Sequence, residues 1–179
     1  MKKNSKNVLL SFLVFLLSAS GLILLAITPL ISNYYDSDNW YRIFFHGITK
    51  WRIAGFTSVY EASGFPVYFT YLTIIGISIA VLGSIYWLIH TLSGKRKCNL
   101  TNFDLPGPFT GVLLGLGGLI SFIGSMVFIP YGNNVTGGGN TYAYGYIVTA
   151  VIFGLLLLIG VMILFTSKKG KKTSKKKKR

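Results

Sequence analysis

The chain has 179 residues, 51% of them hydrophobic and only 12% charged, and its 18 Lys and Arg against 4 Asp and Glu give a net charge of +14. A soluble domain carries about a quarter of its residues as charges, so this chain has roughly half the charge a water-facing surface needs. That composition argues against an ordinary soluble enzyme, and the near absence of Lys and Arg from the long apolar stretches points to a small polytopic membrane protein.

Residues 1–7 form a basic arm with Lys2, Lys3 and Lys6. An apolar run follows over residues 8–31. Ser18-Ala19-Ser20 resembles a cleavage site, but the run continues from Gly21 through Leu30 and is too long for a signal h-region, so an uncleaved first span is expected. Residues 67–89, 109–129 and 146–165 are three further spans, and no Asp, Glu, Lys or Arg falls inside any of the four. The fold expected is therefore an all-α membrane protein: a bundle of four transmembrane helices occupying residues 8–166, with a longer first extracytoplasmic loop.

That loop, residues 32–66, is too long for a tight connection and rich in aromatics. Wound as a helix over about residues 39–52, it places Trp40, Tyr41, Phe44, Phe45, Ile48 and Trp51 on one broad face. Arg42, His46 and Lys50 then line the other, as an interfacial helix lying on headgroups requires. Ser37, Asp38 and Asn39 are suitable caps for it. The competing reading is a short hairpin, because residues 48–60 are rich in β-formers and Gly55 marks a turn or bulge. In the helical reading Trp40, Phe44 and Trp51, with Trp87 at the far end of the second span, are membrane-interface residues.

Helices in lipid associate through small residues and occasional hydroxyl bonds. Gly76, Ala80 and Gly83 form a seam on the second span. The third carries two small faces, Gly111, Gly115 and Gly118 on one and Gly117, Ser121 and Gly124 on the other, which implies two close neighbours; the fourth has a shorter seam at Ala150 and Gly154. Intramolecular packing is the preferred use of these faces over homodimerisation.

Between spans two and three lie Lys95, Arg96, Lys97 and the only cysteine, Cys98, so no internal disulfide forms. Cys98 is read as a reduced thiol, with acylation the alternative in a eukaryotic host. Two sequons, Asn99-Leu-Thr101 and Asn134-Val-Thr136, are at chance level, and Gly137-Gly138-Gly139 loosens the third loop. Residues 167–179 form a Lys-rich tail with nothing apolar, expected to be disordered. Its Lys168, Lys169, Lys171, Lys172, Lys175, Lys176, Lys177, Lys178 and Arg179 are expected to bind anionic inner-leaflet lipids. Without interleaved aromatics they indicate no specific nucleic acid.

Basic residues crowd the amino-terminal arm, the second loop and the tail, while the first loop offsets its cations with Asp36, Asp38 and Glu61, and the third loop is uncharged. The positive-inside rule therefore puts both termini in the cytoplasm, with the cell membrane the expected location and the endoplasmic reticulum the eukaryotic alternative. His46 with the loop carboxylates makes no metal motif, no nucleophile has a base beside it, and no cofactor is expected. The four-span topology resembles that of tetraspan families such as claudins and MARVEL-type proteins. Claudin-like proteins carry a Gly-Leu-Trp segment and a cysteine pair in the first outside loop; here Trp40 and Trp51 are present without a cysteine, so no junctional role is carried over. The function expected is non-enzymatic, exercised through lipids and a membrane-protein partner, as an accessory subunit or a membrane-organising protein. The alternative is a small-solute pore or transporter component lined by Ser78, Ser84, Ser121, Ser125 and Thr149.

Overall fold

The computed structural model describes residues 2–93, 107–135 and 142–176. In chain order the elements are α1 (Lys2–Ile27), β1 (Pro29–Asp36), β2 (Asn39–Phe44), β3 (Ile48–Ile53), β4 (Phe56–Glu61), α2 (Val67–Leu92), α3 (Pro108–Met126), α4 (Phe128–Val135) and α5 (Tyr144–Lys176). Four helical stretches, Asn7–Ile27, Val67–Leu92, Pro108–Val135 and Tyr144–Phe165, are long and apolar enough to cross a membrane. A membrane protein is the class they fit.

The all-α expectation is wrong. The first loop is a four-stranded antiparallel sheet in the order β1-β2-β3-β4, and no helix forms between residues 39 and 52. The reason lies in local chemistry. Trp40, Tyr41, Ile43, Phe44, Thr49, Trp51 and Ile53 are aromatic or β-branched, residues that fit a pleated surface. Gly47 takes φ +83° between β2 and β3, a left-handed conformation that ends a helix. Ala54 and Gly55 both have positive φ, 49° and 82°, the geometry of a two-residue hairpin turn whose twist matches its strands. Residues 48–60, the segment of the competing hairpin reading, do form the β3–β4 hairpin. At the β1–β2 turn the Asp36 carboxylate accepts from the Asp38 amide at 2.8 Å and from the Asn39 side chain. Those bonds hold its carboxyl below the usual carboxylate range, the Asn39 side chain contributing most.

Two boundaries also differ from expectation. The first helix stops at Ile27, because Pro29 disfavours the helical region at Thr28, and residues Leu30 and Ile31 pass into β1. At the other end, α5 runs on to Lys176, so the tail expected to be disordered is helical that far. Lysine is a good helix former, and extending an existing helix needs no new nucleus. The break between α3 and α4 at Val127 has a local cause too: Pro130 has no amide hydrogen, and its ring crowds the carbonyl of Met126.

In the bundle α3 packs against both α2 and α5, and α1 packs against α2 and α5 in turn. The α1–α2 contact carries hydroxyl pairs a heptad apart, Ser18 with Ser84 at 2.9 Å and Ser11 with Thr91 at 3.0 Å. Each such pair contributes about 0.6 kcal/mol in membrane helices.

The sheet is fastened to one end of the bundle through the β2–β3 turn. Phe45 there is 1% exposed. Its ring meets Phe128 edge-on at 5.0 Å and Tyr146 at 5.9 Å, and its carbonyl accepts from the Thr70 hydroxyl at 2.6 Å. Gly47 is held beside Phe65, which packs in turn on Phe128 and Tyr131. At the β1 edge of the sheet, Ile31 bridges to Tyr142, and the Ala143 amide donates to the Leu30 carbonyl at 3.0 Å. The segment before α5 thus covers one edge of the sheet, leaving β4 as the other edge.

Candidate functional site

Register and strand alternation sort the loop residues into two faces. Trp40 opposes Arg52, Tyr41 opposes Trp51, Arg42 opposes Lys50 and Ile43 opposes Thr49; across the next pair Thr49 faces Tyr60, Trp51 faces Ser58 and Ile53 faces Phe56. One face therefore carries Tyr41, Ile43, Thr49, Trp51, Ile53, Phe56 and Tyr60. Its base, at Ile31, Ile43 and Thr49, is buried against the bundle end, whereas Ile53, Phe56 and Tyr60 are exposed, Phe56 at 79%. The other face carries Trp40, Arg42, Phe44, Ile48, Lys50 and Arg52, with Thr57, Val59 and Glu61 from β4.

On that second face cations and rings interleave. The Arg42 guanidinium lies 4.7 Å from the centre of the Trp40 ring, and the Lys50 ammonium 5.4 Å from that of Phe44. His46 stacks on Phe44 at 5.3 Å with rings nearly parallel, and burial, aided by the Lys50 charge, pushes its pKa down. Arg52 pairs with Asp38 at 3.4 Å, an exposed contact of little energetic weight. The expected division of rings on one side and Arg42, His46 and Lys50 on the other is thus overturned. Trp40 and Phe44 share a face with the cations, and Trp51 lies on the opposite one. Spacings of four satisfy a 3.6-residue period and a two-residue period alike, so the basic residues stay together in either structure. The odd-numbered Trp51 is what separates the two.

The small residues of the helices lie at backbone contacts. A Cβ built on Gly117 would stand 2.6 Å from the Ala80 amide nitrogen and the Gly76 carbonyl, and one on Gly76 would stand 2.5 Å from the Ser121 hydroxyl. Gly83 faces Leu113 and Leu114, and Gly124 faces Thr73 and the Phe69 carbonyl, which completes the α2–α3 seam. Toward α5, Gly111 meets Ile163 and Gly160, and Gly118 meets the backbone of Leu157. A Cβ built on Gly115 has more room, its nearest atoms being those of the Gly160 backbone at 3.8 Å. On α5 the residue in the seam is Gly160, whose Cβ direction points into the Gly115 backbone; Gly154 only reaches Phe122 at 3.9 Å.

Trp87 is 3% exposed, inside the bundle and not on its surface, and its Nε1 has no partner among the described residues. Lys168, Lys169, Lys171, Lys172, Lys175 and Lys176 belong to the continuation of α5. Lys177, Lys178 and Arg179, the second-loop Lys95, Arg96, Lys97 and Cys98, the Asn99 sequon, Thr136 and Gly137-Gly138-Gly139 lie outside the described residues. Among the described residues no three of His, Cys, Asp and Glu gather where a metal ion could be held.

Most of the hydroxyls weighed as pore lining are bonded within the helices. Ser121 donates to the Thr73 carbonyl across the seam, while Ser125 and Thr149 bond carbonyls of their own helices and Ser84 meets Ser18. The sequence put Phe45 on the broad aromatic face of a helix and not at the join of sheet and bundle, and it did not single out Gly160. An aromatic directly before His46-Gly47 was the available signal for the first; Gly160 carried none, since α5 is apolar on every side through Phe165. No protein-family model matches this chain, and no curated protein matches its sequence.

Proposed function

We propose that the protein is a non-enzymatic, membrane-spanning interaction protein, in which the helix bundle is an anchor and the sheet is the part presented to a partner. Loop charges support an orientation with both termini in the cytoplasm and the sheet outside the cell membrane. In that orientation the basic tail is placed to hold anionic inner-leaflet lipids. The observation that carries the reading is the contrast between a bundle closed by backbone-to-backbone contacts and a free sheet edge. Every residue of β4 is exposed, with Phe56, Val59 and Tyr60 among them. An edge strand leaves backbone donors and acceptors available for another chain, and apolar side chains beside them add area.

A photo-cross-linking residue placed at Phe56 or Tyr60 of the full chain in native membranes tests this. A discrete protein adduct from either position, absent when the probe sits at Ile123 on α3, is the expected result. Adducts to lipid alone from all three positions would remove the partner from the proposal.

A further inference from the structure

The Arg42–Lys50 row of the sheet is electrostatically unsettled. The two residues are direct cross-strand partners, and like charges in that position repel. Both are exposed, and no carboxylate of the described residues forms an ion pair with either. Each cation is instead parked on a ring, Arg42 on Trp40 and Lys50 on Phe44, which orients it while leaving its N–H donors free at the perimeter. An anion lying between them would relieve the repulsion and accept those donors.

The height of this row above the bundle says which anion. The Phe45 carbonyl is bonded to Thr70 in the first turn of α2, so the base of the hairpin lies where that helix would enter the hydrocarbon. Arg42 stands three residues from Phe45, about 10 Å along the strand, and Lys50 leans back over Phe44 toward the base. A headgroup layer is roughly 5–8 Å thick on each side of the hydrocarbon, and long basic side chains reach several ångströms further to find it. The opposite face of the sheet is the one buried at Ile31, Ile43 and Thr49, so the basic face is turned away from the bundle and is open to a headgroup at that height. A second copy of the chain is a poor occupant. Its acidic residues besides Asp104 are Asp36, Asp38 and Glu61; the first two are engaged in their own turn and with Arg52, and Glu61 shares a face with Arg42, Lys50 and Arg52, so a second copy would bring more cations than carboxylates to the site.

We propose that Arg42 and Lys50, held on Trp40 and Phe44, bind the phosphate of an anionic phospholipid in the leaflet on the sheet's side of the bundle. The proposal rests on the membrane-spanning reading. The sheet is then fixed at two levels, by Phe45 within the helix ends and by a lipid headgroup on its outer face.

The test is a titration of the full chain, in a neutral maltoside detergent, with short-chain phosphatidylglycerol. Hydrogen exchange is read on peptides within residues 39–53, where the basic tail contributes nothing. Exchange should slow and saturate. The midpoint should rise about fivefold in Lys50→Gln and about twenty-five-fold when Arg42→Gln is added, while Arg42→Lys stays near the original chain. An unchanged thermal midpoint in the double variant shows that it folds. Absence of protection, or equal protection in the double variant, would overturn the site. Equal protection by inorganic phosphate, or stronger protection by an acidic peptide, would overturn the lipid as occupant. Release of the protein from membranes by alkaline carbonate is a separate result that would sink the spanning reading together with this one.

Discussion

At the α2–α3 seam a methyl group added to Gly117 would strike the backbone of the neighbouring helix, whereas along β4 every residue is exposed. The two regions use residues in opposite ways. For helices in lipid, which is as apolar as any side chain, attraction comes from close approach, and a residue contributes by lacking a side chain. In the sheet, backbone hydrogen bonds hold the strands, and a residue contributes through the face its parity assigns it. A substitution should therefore be judged by contact distance in the first region and by odd or even position in the second.

The sharpest way to break this comparison is at Gly160, whose Cβ direction points at the Gly115 backbone. Gly160→Leu should prevent α3 and α5 from closing and abolish folded yield from mild detergent. Gly115→Ala, aimed at a neighbour 3.8 Å away, should change stability by less than about 0.5 kcal/mol in unfolding titrations. If both variants fold equally well, the seam is not set by backbone contact.

Phe45 joins the two regions, and its removal should separate them. Phe45→Ala should cost about 3–5 kcal/mol, as for other buried aromatics. The loss should be local, with amide exchange accelerated in β2 and β3 and unaltered in the centres of α2 and α3. Equal acceleration throughout would mean that sheet and bundle unfold as one unit.

The β3–β4 turn offers a smaller test in both directions. Ala54 holds φ +49°, which costs an ordinary residue about 1–2 kcal/mol, and Asn tolerates that region better. Ala54→Asn should raise sheet stability by about 0.5–1 kcal/mol, because Asn-Gly is the preferred pair for this turn. Gly55→Val should lower it by about 1–2 kcal/mol. Both are read from exchange at the β3–β4 amides.

The smallest effect expected is that of pH. Burial, with Lys50 second, lowers the pKa of His46, so the unfolded chain binds the proton more readily than the folded one. Stability from this group is complete above about pH 6.5 and is lost as pH falls through the folded value. His46→Gln should flatten a slight loosening of the β2–β3 turn below neutrality. A slope unchanged in that variant would assign the effect to other groups.

The apolar lengths of the helices, their number and the glycine-rich faces of α3 were legible in the sequence, because spans without charge and small residues at helical spacing report composition and period alone. The pairing of those faces was not. Through Phe165 α5 is apolar all round, so nothing in its residues distinguishes Gly160 from Gly154 until the helix is rotated against α3. The first loop was ambiguous for a different reason. Arg42, His46 and Lys50 recur at four, an even number close to a helical turn, and both secondary structures keep them on one side. Only the completed sheet resolved it, since the β2–β3 turn is held by Phe45 among Phe128, Tyr146 and the Thr70 hydroxyl, all distant in sequence. Local propensity allowed a hairpin over residues 48–60, and tertiary burial of Phe45 together with the edge cover from Tyr142 and Ala143 decided a four-stranded sheet.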